Sequence, residues 1–397
     1  MLLEKGLWKQ AKKLLQQARS IAEKANLGLY ELEFALMERR IIRQLGTQAS
    51  ALLKQNQERA LAILRQTEKE LNMTQVFEDI FFSLRTANIV NPEAQHLPKI
   101  VNELIGEDHE NYLMNASFVA KTQYHTMYAM HHRSKKEYEE ANIHLRKLLS
   151  LFEDDQKILI EVEYQDRYLK ALNNYFNNCF QSGTIEQEFD TIMSKLNSVP
   201  ETNHRVSGEK FHISSYFYIH YYSRTEEYGK ILAKASSILE GLKNYGDVIG
   251  ISRKLTLIYN IAVIYFETRQ YEQALDWIIS LLNEGEKETK KTLQFPAEML
   301  RLILFYEKKE FSTLKYLARG FLDQFKKSKK GAPELEIGAT LLQIAKLYDK
   351  PIRGKADQLE INKKTKDLFI QLHNKIGNSI KREEIKTWLK EKSDGRI

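Results

Sequence analysis

At 397 residues, with 43% hydrophobic and 28% charged side chains, the chain is large and water-compatible, and too long for one ordinary compact core. It holds only 17 Gly, 6 Pro and a single cysteine, which excludes an internal disulfide framework, a thiolate-rich zinc site and a turn-rich β fold. The formal charge of +7 belongs to one end: from Phe325 onward 18 Lys and Arg face 10 Asp and Glu, leaving the rest near neutral.

The first segment, EKGLWKQAKKLLQQA, places Gly6, Trp8, Ala11, Leu15 and Ala18 on one helix, and a second helix is expected over 29–45. Between 28 and 110 the pattern is loose, with helix starts expected near 52 and 95. KKEYEEANIHLRKLL then gives Tyr138, Ala141, Leu145 and Leu148, and a long helix is expected over 161–181, ending toward Gly183. TEEYGKILAKASSIL supplies Tyr228, Ile231, Ala235 and Ile238. KKEFSTLKYLARGF supplies Phe311, Leu314, Ala318 and Phe321. The sharpest copy runs from Ile258 to Leu282: Ile261, Ala262 and Tyr265 on one helix, then Tyr271, Ala274, Ile278 and Leu281 on the next. The aromatic that opens the second helix falls at positions 8, 138, 228, 271 and 311, spacings close to whole multiples of about 43 residues.

Small residues where two helices cross, with aromatics filling the gap to the next pair, resemble the tetratricopeptide repeat (TPR). Arg269 stands where that repeat has a turn glycine. The resemblance implies an all-α fold, an α-solenoid of about eight or nine antiparallel helical hairpins. Residues 1–348 would form the array and 349–397 a basic helical cap continuous with it. HEAT and armadillo repeats share the period but lack the Tyr/Ala spacing. The stretch from Leu3 to Ile42 also resembles a Bacteroidetes family of TPR-like proteins that brings no known activity. Its members carry a further helical region ahead of the matching segment, so the chain is expected to be a truncated form or to pair through this edge. Leu2, Leu3, Leu7, Leu14 and Leu15 would then serve a homo-oligomer.

A TPR array recognises partners along the concave face of its first helices, and the resemblance carries that face onto particular residues. They are Asn173, Asn177 and Phe180 in one unit; Ile213, Tyr216, His220 and Arg224 in the next; and Tyr259, Val263, Phe266 and Glu267 in the sharpest. Met130 and Arg133 belong to an earlier unit. Asn173, Asn177, Tyr216, His220, Arg224, Tyr259, Val263 and Phe266 form the candidate site. Asn amides can donate to and accept from a peptide backbone, aromatics give stiff apolar contact, and Arg224 can take a carboxylate.

No phosphate loop, dinucleotide fingerprint, HExxH or GxSxG motif occurs. His125, His131, His132, His204, His212 and His220 lack metal-ligand spacing and are expected to line amphipathic helix surfaces. Cys179, with no neighbouring Lys or Arg, reads as a buried thiol. No apolar run approaches the ~20 residues of a membrane span, and no signal peptide is recognisable. The expectation is a cytoplasmic, non-enzymatic scaffold or peptide-binding adaptor with no cofactor and no metal, whose partner is a protein or peptide. The alternative is a nucleic-acid-associated regulator using the basic end, although acidic residues are interleaved there and no aromatic platform for bases is evident. Trp388 is expected to pack the last helix onto the stack or to anchor it to a partner.

Overall fold

The computed structural model describes residues 5–24, 27–44, 49–86, 96–154, 161–284, 291–329, 331–349 and 354–395. Among these there are 18 α-helices and no strand. No helix among them is long and apolar enough to cross a membrane. The chain divides into two compact units, Met1–Pro200 and Glu201–Ile397.

The first unit holds α1 (Trp8–Lys24), α2 (Gly28–Ile42), α3 (Ala49–Thr86), α4 (Leu97–Ile105), α5 (His109–Asn115), α6 (Phe118–Ser134), α7 (Tyr138–Glu153), α8 (Val162–Ser182) and α9 (Ile185–Ser198). Most neighbours in sequence pack together, α4 on α3 among them, and α3, a single helix of 38 residues, also packs on α6. Helices begin at Ala49 and Leu97, close to the starts expected near 52 and 95.

The second unit holds α10 (His204–Arg224), α11 (Tyr228–Tyr245), α12 (Ile251–Glu267), α13 (Tyr271–Asn283), α14 (Lys291–Glu307), α15 (Phe311–Phe325), α16 (Pro333–Tyr348), α17 (Lys355–Ile376) and α18 (Glu383–Ser393). Each packs on the next. In addition α10, α12, α14 and α16 touch one another serially, each skipping the helix between. They form a continuous row.

Five helix-to-helix turns share one backbone. Lys136, Gly183, Glu226, Arg269 and Lys309 all adopt left-handed φ, between 57° and 80°. One residue later the N–H of Glu137, Thr184, Glu227, Gln270 and Glu310 donates to the carbonyl five residues back, at 2.8–3.1 Å. This satisfies a carbonyl that the helix end leaves open. Arg269, a departure from the TPR glycine in sequence, takes glycine's conformation. An L-residue there costs about 1–2 kcal/mol, so tertiary packing imposes the turn at four of the five sites.

That packing lies in the second helix of each pair. Ala141, Ala235, Ala274 and Ala318 are buried at the crossings, flanked by buried Leu145, Ile231, Ile278 and Leu314. Full burial of such aliphatic side chains contributes about 1.5–3 kcal/mol each. Gly241 marks the closest approach: a Cβ there would lie 2.0 Å from the Phe211 ring. Cys179 is buried, and burial pushes its thiol pKa up, as expected of an unreactive cysteine.

Two of the histidines depart from the surface role expected of them. His125 and His131 are buried. His125 Nδ1 lies 3.1 Å from His144 Nδ1 across α6 and α7, and Tyr128 stacks on His144 with centroids 5.0 Å apart. Aromatic partners on both helices make imidazole a packing element here, which helix periodicity alone does not reveal.

Candidate interaction face and its internal occupant

The row formed by α10, α12, α14 and α16 carries most of the candidate residues. Its α12–α14 portion is covered by α18. The spacing of Ile385, Trp388, Leu389 and Lys392 sets these four on one face of that helix, and all four are buried. Trp388, 4% exposed, donates from Nε1 to Glu307 Oε1 at 2.6 Å. Lys392 Nζ approaches the same carboxylate at 2.9 and 3.0 Å, and both side chains of this ion pair are only 9% exposed. The Trp388 ring meets Tyr306 and Phe369 edge-on, with centroids 6.0 and 5.5 Å away. Lys392 Nζ lies 5.7 Å from the Tyr306 ring centre.

Glu307 therefore receives an indole N–H and an ammonium one helical turn apart. Removing one partner of such a buried pair leaves a desolvated charge without compensation. Beside the pair opens a cleft of about 470 Å³, lined by Tyr306, Glu307, Phe311, Tyr348, Asn362 and Lys392. In its wall Phe311 and Tyr348 stack on each other at 3.9 Å, and the Tyr348 hydroxyl donates to Asn362 Oδ1 at 2.9 Å.

The other edge of α18 reaches α12. The Tyr259 hydroxyl donates to Glu384 Oε1 at 3.0 Å, and the Arg382 guanidinium lies 4.9 Å from the Tyr259 ring centre. Arg269 Nη2 is 3.6 Å from Glu391 Oε2. Burial, followed by the charges of Glu384, Glu391 and Glu226, raises the pKa of Glu267 from 4.5 to about 7. Burial likewise pushes the Tyr259 and Tyr306 phenols upward.

The remaining candidates fall as follows. Tyr259 and Phe266 are buried, Tyr259 at 3% exposure beneath α18, and Val263 is half-buried. Tyr216 and His220 are half-buried on α10, with ring centroids 4.1 Å apart. Burial lowers the pKa of His220 to about 4. His212, one turn before Tyr216, is lowered to about 4 by burial and then by Arg253. Its Nδ1 finds no hydrogen-bond partner among the described residues. Arg224 is exposed at the end of α10. Asn173 and Asn177 lie on α8 in the first unit, half-buried, where Asn177 Nδ2 donates to the Asn173 carbonyl at 2.7 Å.

Sequence reasoning missed the role of Glu307, whose partners lie 81 and 85 residues away. The visible signal was the amphipathic spacing around Trp388. In the basic end, Lys364, Lys375, Arg382, Lys386 and Lys392 each sit within ion-pair distance of a carboxylate of this chain. Among the described residues no group of three or more His, Cys, Asp or Glu is placed to hold a metal ion. No known protein family matches the chain, and no curated protein matches it.

Proposed function

We propose that the protein is a non-enzymatic, TPR-like helical-repeat scaffold that holds a segment of a partner protein against the α10–α12–α14–α16 face. The observation that carries this is the docking of α18. The face accepts an amphipathic helix through one buried carboxylate, two tyrosines and an apolar floor, the chemistry of helix-in-groove recognition. The recurrent left-handed turn supports the hairpin-repeat part of the proposal, since the same local geometry returns with the Tyr/Ala spacing. The nucleic-acid alternative is disfavoured by the carboxylates that sit against the basic end's cations.

The test is site-specific photo-crosslinking in the native cell. A crosslinker replaces exposed Arg224 on the row, or exposed Tyr316 on α15 as control. A defined protein adduct at Arg224 and absent at Tyr316 is the expected result. Adducts of equal yield at both, or none at Arg224, would remove the proposal.

A further inference from the structure

We infer that a groove on α3, between the first turns of α2 and α6, receives a segment of a partner protein that carries one arginine among apolar side chains. It lies in the first unit and goes beyond the face proposed above.

The groove follows from the length of α3. At 38 residues it outruns the 15 of α2, and α6 packs on it as well. Gly28 brings the start of α2 onto the middle of α3, since a Cβ there would lie 2.7 Å from Thr67 Oγ1. One and two turns further along α3, Glu70 Oε1 accepts from the Ser117 N–H at 2.8 Å and Thr74 Oγ1 donates to Gln123 Oε1 at 3.1 Å, which seats the start of α6. Both helices thus begin on one stretch of α3 and leave a cleft of about 700 Å³, the size of a ligand site. Its rim is apolar and open: Leu29, Tyr30 and Leu71 line it at 68%, 57% and 64% exposure.

Charge names the occupant. Glu23, Glu31 and Glu70 line the cleft, and among the described residues no Lys, Arg or His does. Glu23 is already balanced. It and Glu38 each meet both Arg19 and Arg59, at 2.8–3.6 Å, a closed ring with no net charge. The Glu31 carboxylate has no hydrogen-bond or ion-pair partner among the described residues. Glu70 receives the Ser117 N–H and Gln66 Nε2, both on Oε1 and neither charged. Glu31 sits in the first turn of α2 and Glu70 meets the N-cap N–H of α6, and each helix N-terminus acts as about half a positive charge. Of two negative charges, about one is therefore left for an occupant. A guanidinium suits it better than an ammonium, because its planar fork reaches two carboxylates and its flat faces pack on an aromatic ring such as Tyr30. A small free cation would leave the Leu29, Tyr30 and Leu71 rim bare, so the cation comes with apolar neighbours attached. The chain's net charge of +7 gives a cationic segment no general attraction to it, so binding must come from the groove.

The experiment pans a phage-displayed library of random dodecapeptides on the full chain and measures the selected peptides in solution by fluorescence anisotropy. They should carry an arginine flanked by aliphatic or aromatic residues, and lysine in its place should weaken binding. To a chain with Glu31→Gln and Glu70→Gln they should bind at least about tenfold more weakly, the loss of a charge-assisted contact. A control chain with Glu58→Gln and Glu78→Gln makes the same charge change at exposed positions of α3 outside the groove, and should bind as the parent does. Leu29→Ala with Leu71→Ala alters exposed positions only, so it should weaken binding while circular dichroism shows the fold intact.

Peptides without arginine, or bound equally by the Glu31→Gln, Glu70→Gln chain, overturn the inference. Free arginine binding as tightly as the peptides would make the cleft a small-molecule site and also overturn it. A parent chain that sediments as a dimer, and as a monomer once it carries Leu29→Ala and Leu71→Ala, would give the groove to a second copy instead. None of these results touches the crosslinking outcome at Arg224, which decides the adaptor reading separately.

Discussion

The first three helices and the last one treat their apolar surface in opposite ways. On α1, Leu14 (58% exposed) and Ile21 (67%) face solvent seven residues apart, in line with Leu7, and Leu36, Leu61, Leu64 and Leu71 continue the exposure along α2 and α3. At the other end Tyr259, Tyr306 and Phe369 are buried beneath or beside α18. Both regions are built from amphipathic helices of similar composition. The difference is a polar anchor. Glu307 gives α18 one geometry to adopt, whereas the α1 row offers apolar surface without a comparable directional group. Burial supplies the drive to cover a face; a buried, fully engaged carboxylate specifies what covers it.

The largest effect that would break the contrast is at that anchor. Glu307→Ala leaves the Lys392 ammonium and the Trp388 N–H buried without their acceptor and should destabilise α18 docking by about 3–5 kcal/mol. Hydrogen exchange would show loss of protection over α18, with α12 and α14 retaining theirs. Replacing Glu307 and Lys392 together by Met should recover most of the loss, because an apolar pair carries no desolvated charge. A double variant as weak as the single would mean that shape, rather than the charge pair, holds the helix.

The regions also differ in the sign of their pH response. Burial depresses His125 to about 3 and His144 to about 4, from an ordinary 6.5. The folded α6–α7 pair thus binds fewer protons than the unfolded chain. Its stability is complete above pH 6.5 and falls as pH drops from 6.5 toward 4, by about 1.4 kcal/mol per pH unit for each histidine. Glu267 works the other way. Its carboxyl is raised from 4.5 to about 7, so the contribution of this one group to the stability of the second unit is complete below pH 4.5, is lost between 4.5 and 7, and is flat above. Peptide-resolved hydrogen exchange between pH 5 and 8, corrected for intrinsic rates, should show protection rising with pH over α6–α7 and falling over α18. The same sign in both would contradict one assignment.

Smaller effects come from the backbone. Gly241→Ala drives a methyl into the Phe211 ring and should cost about 1–3 kcal/mol in denaturant unfolding. Gly320→Ala, with open space at its Cβ on an exposed helix position, should stabilise by about 0.5–1 kcal/mol. Lys136→Gly relieves a left-handed L-residue and should stabilise the first unit by up to about 1 kcal/mol. For the uncovered row, Leu7→Lys with Leu14→Lys should lower the mass measured by light scattering, as expected if self-association covers α1; an unchanged mass would remove that role.

Much of the fold was legible because it is local. Ala141, Ala235, Ala274 and Ala318 announce helix crossings, and Tyr138, Tyr228, Tyr271 and Phe311 announce the helices that contain them. Of the left-handed residues, only Arg269 stood out, by replacing the turn glycine of the repeat; Lys136, Glu226 and Lys309 carry no conformational signal of their own. The uninterrupted α3 was also missed, since Gln, Glu, Lys and Ala along it suit a long helix and a broken one equally. Of the candidate site, the placement of Tyr259 and Phe266 on one helix was legible, and their burial, Tyr259 beneath α18, was not. That covering depends on Glu307 meeting residues 81 and 85 positions later, a pairing that periodicity cannot express.

Native-state hydrogen exchange of the full chain under increasing, sub-denaturing guanidinium tests most directly whether α18 is an occupant of the face or part of its core. The amides of α18 should exchange through a separate, lower-energy opening, while those of α12 and α14 remain protected until the second unit unfolds globally. Exchange of α18 in the same cooperative step as α14, at the same free energy, would make the helix an integral part of the core and contradict the proposal that this face takes a helix as a binding groove does.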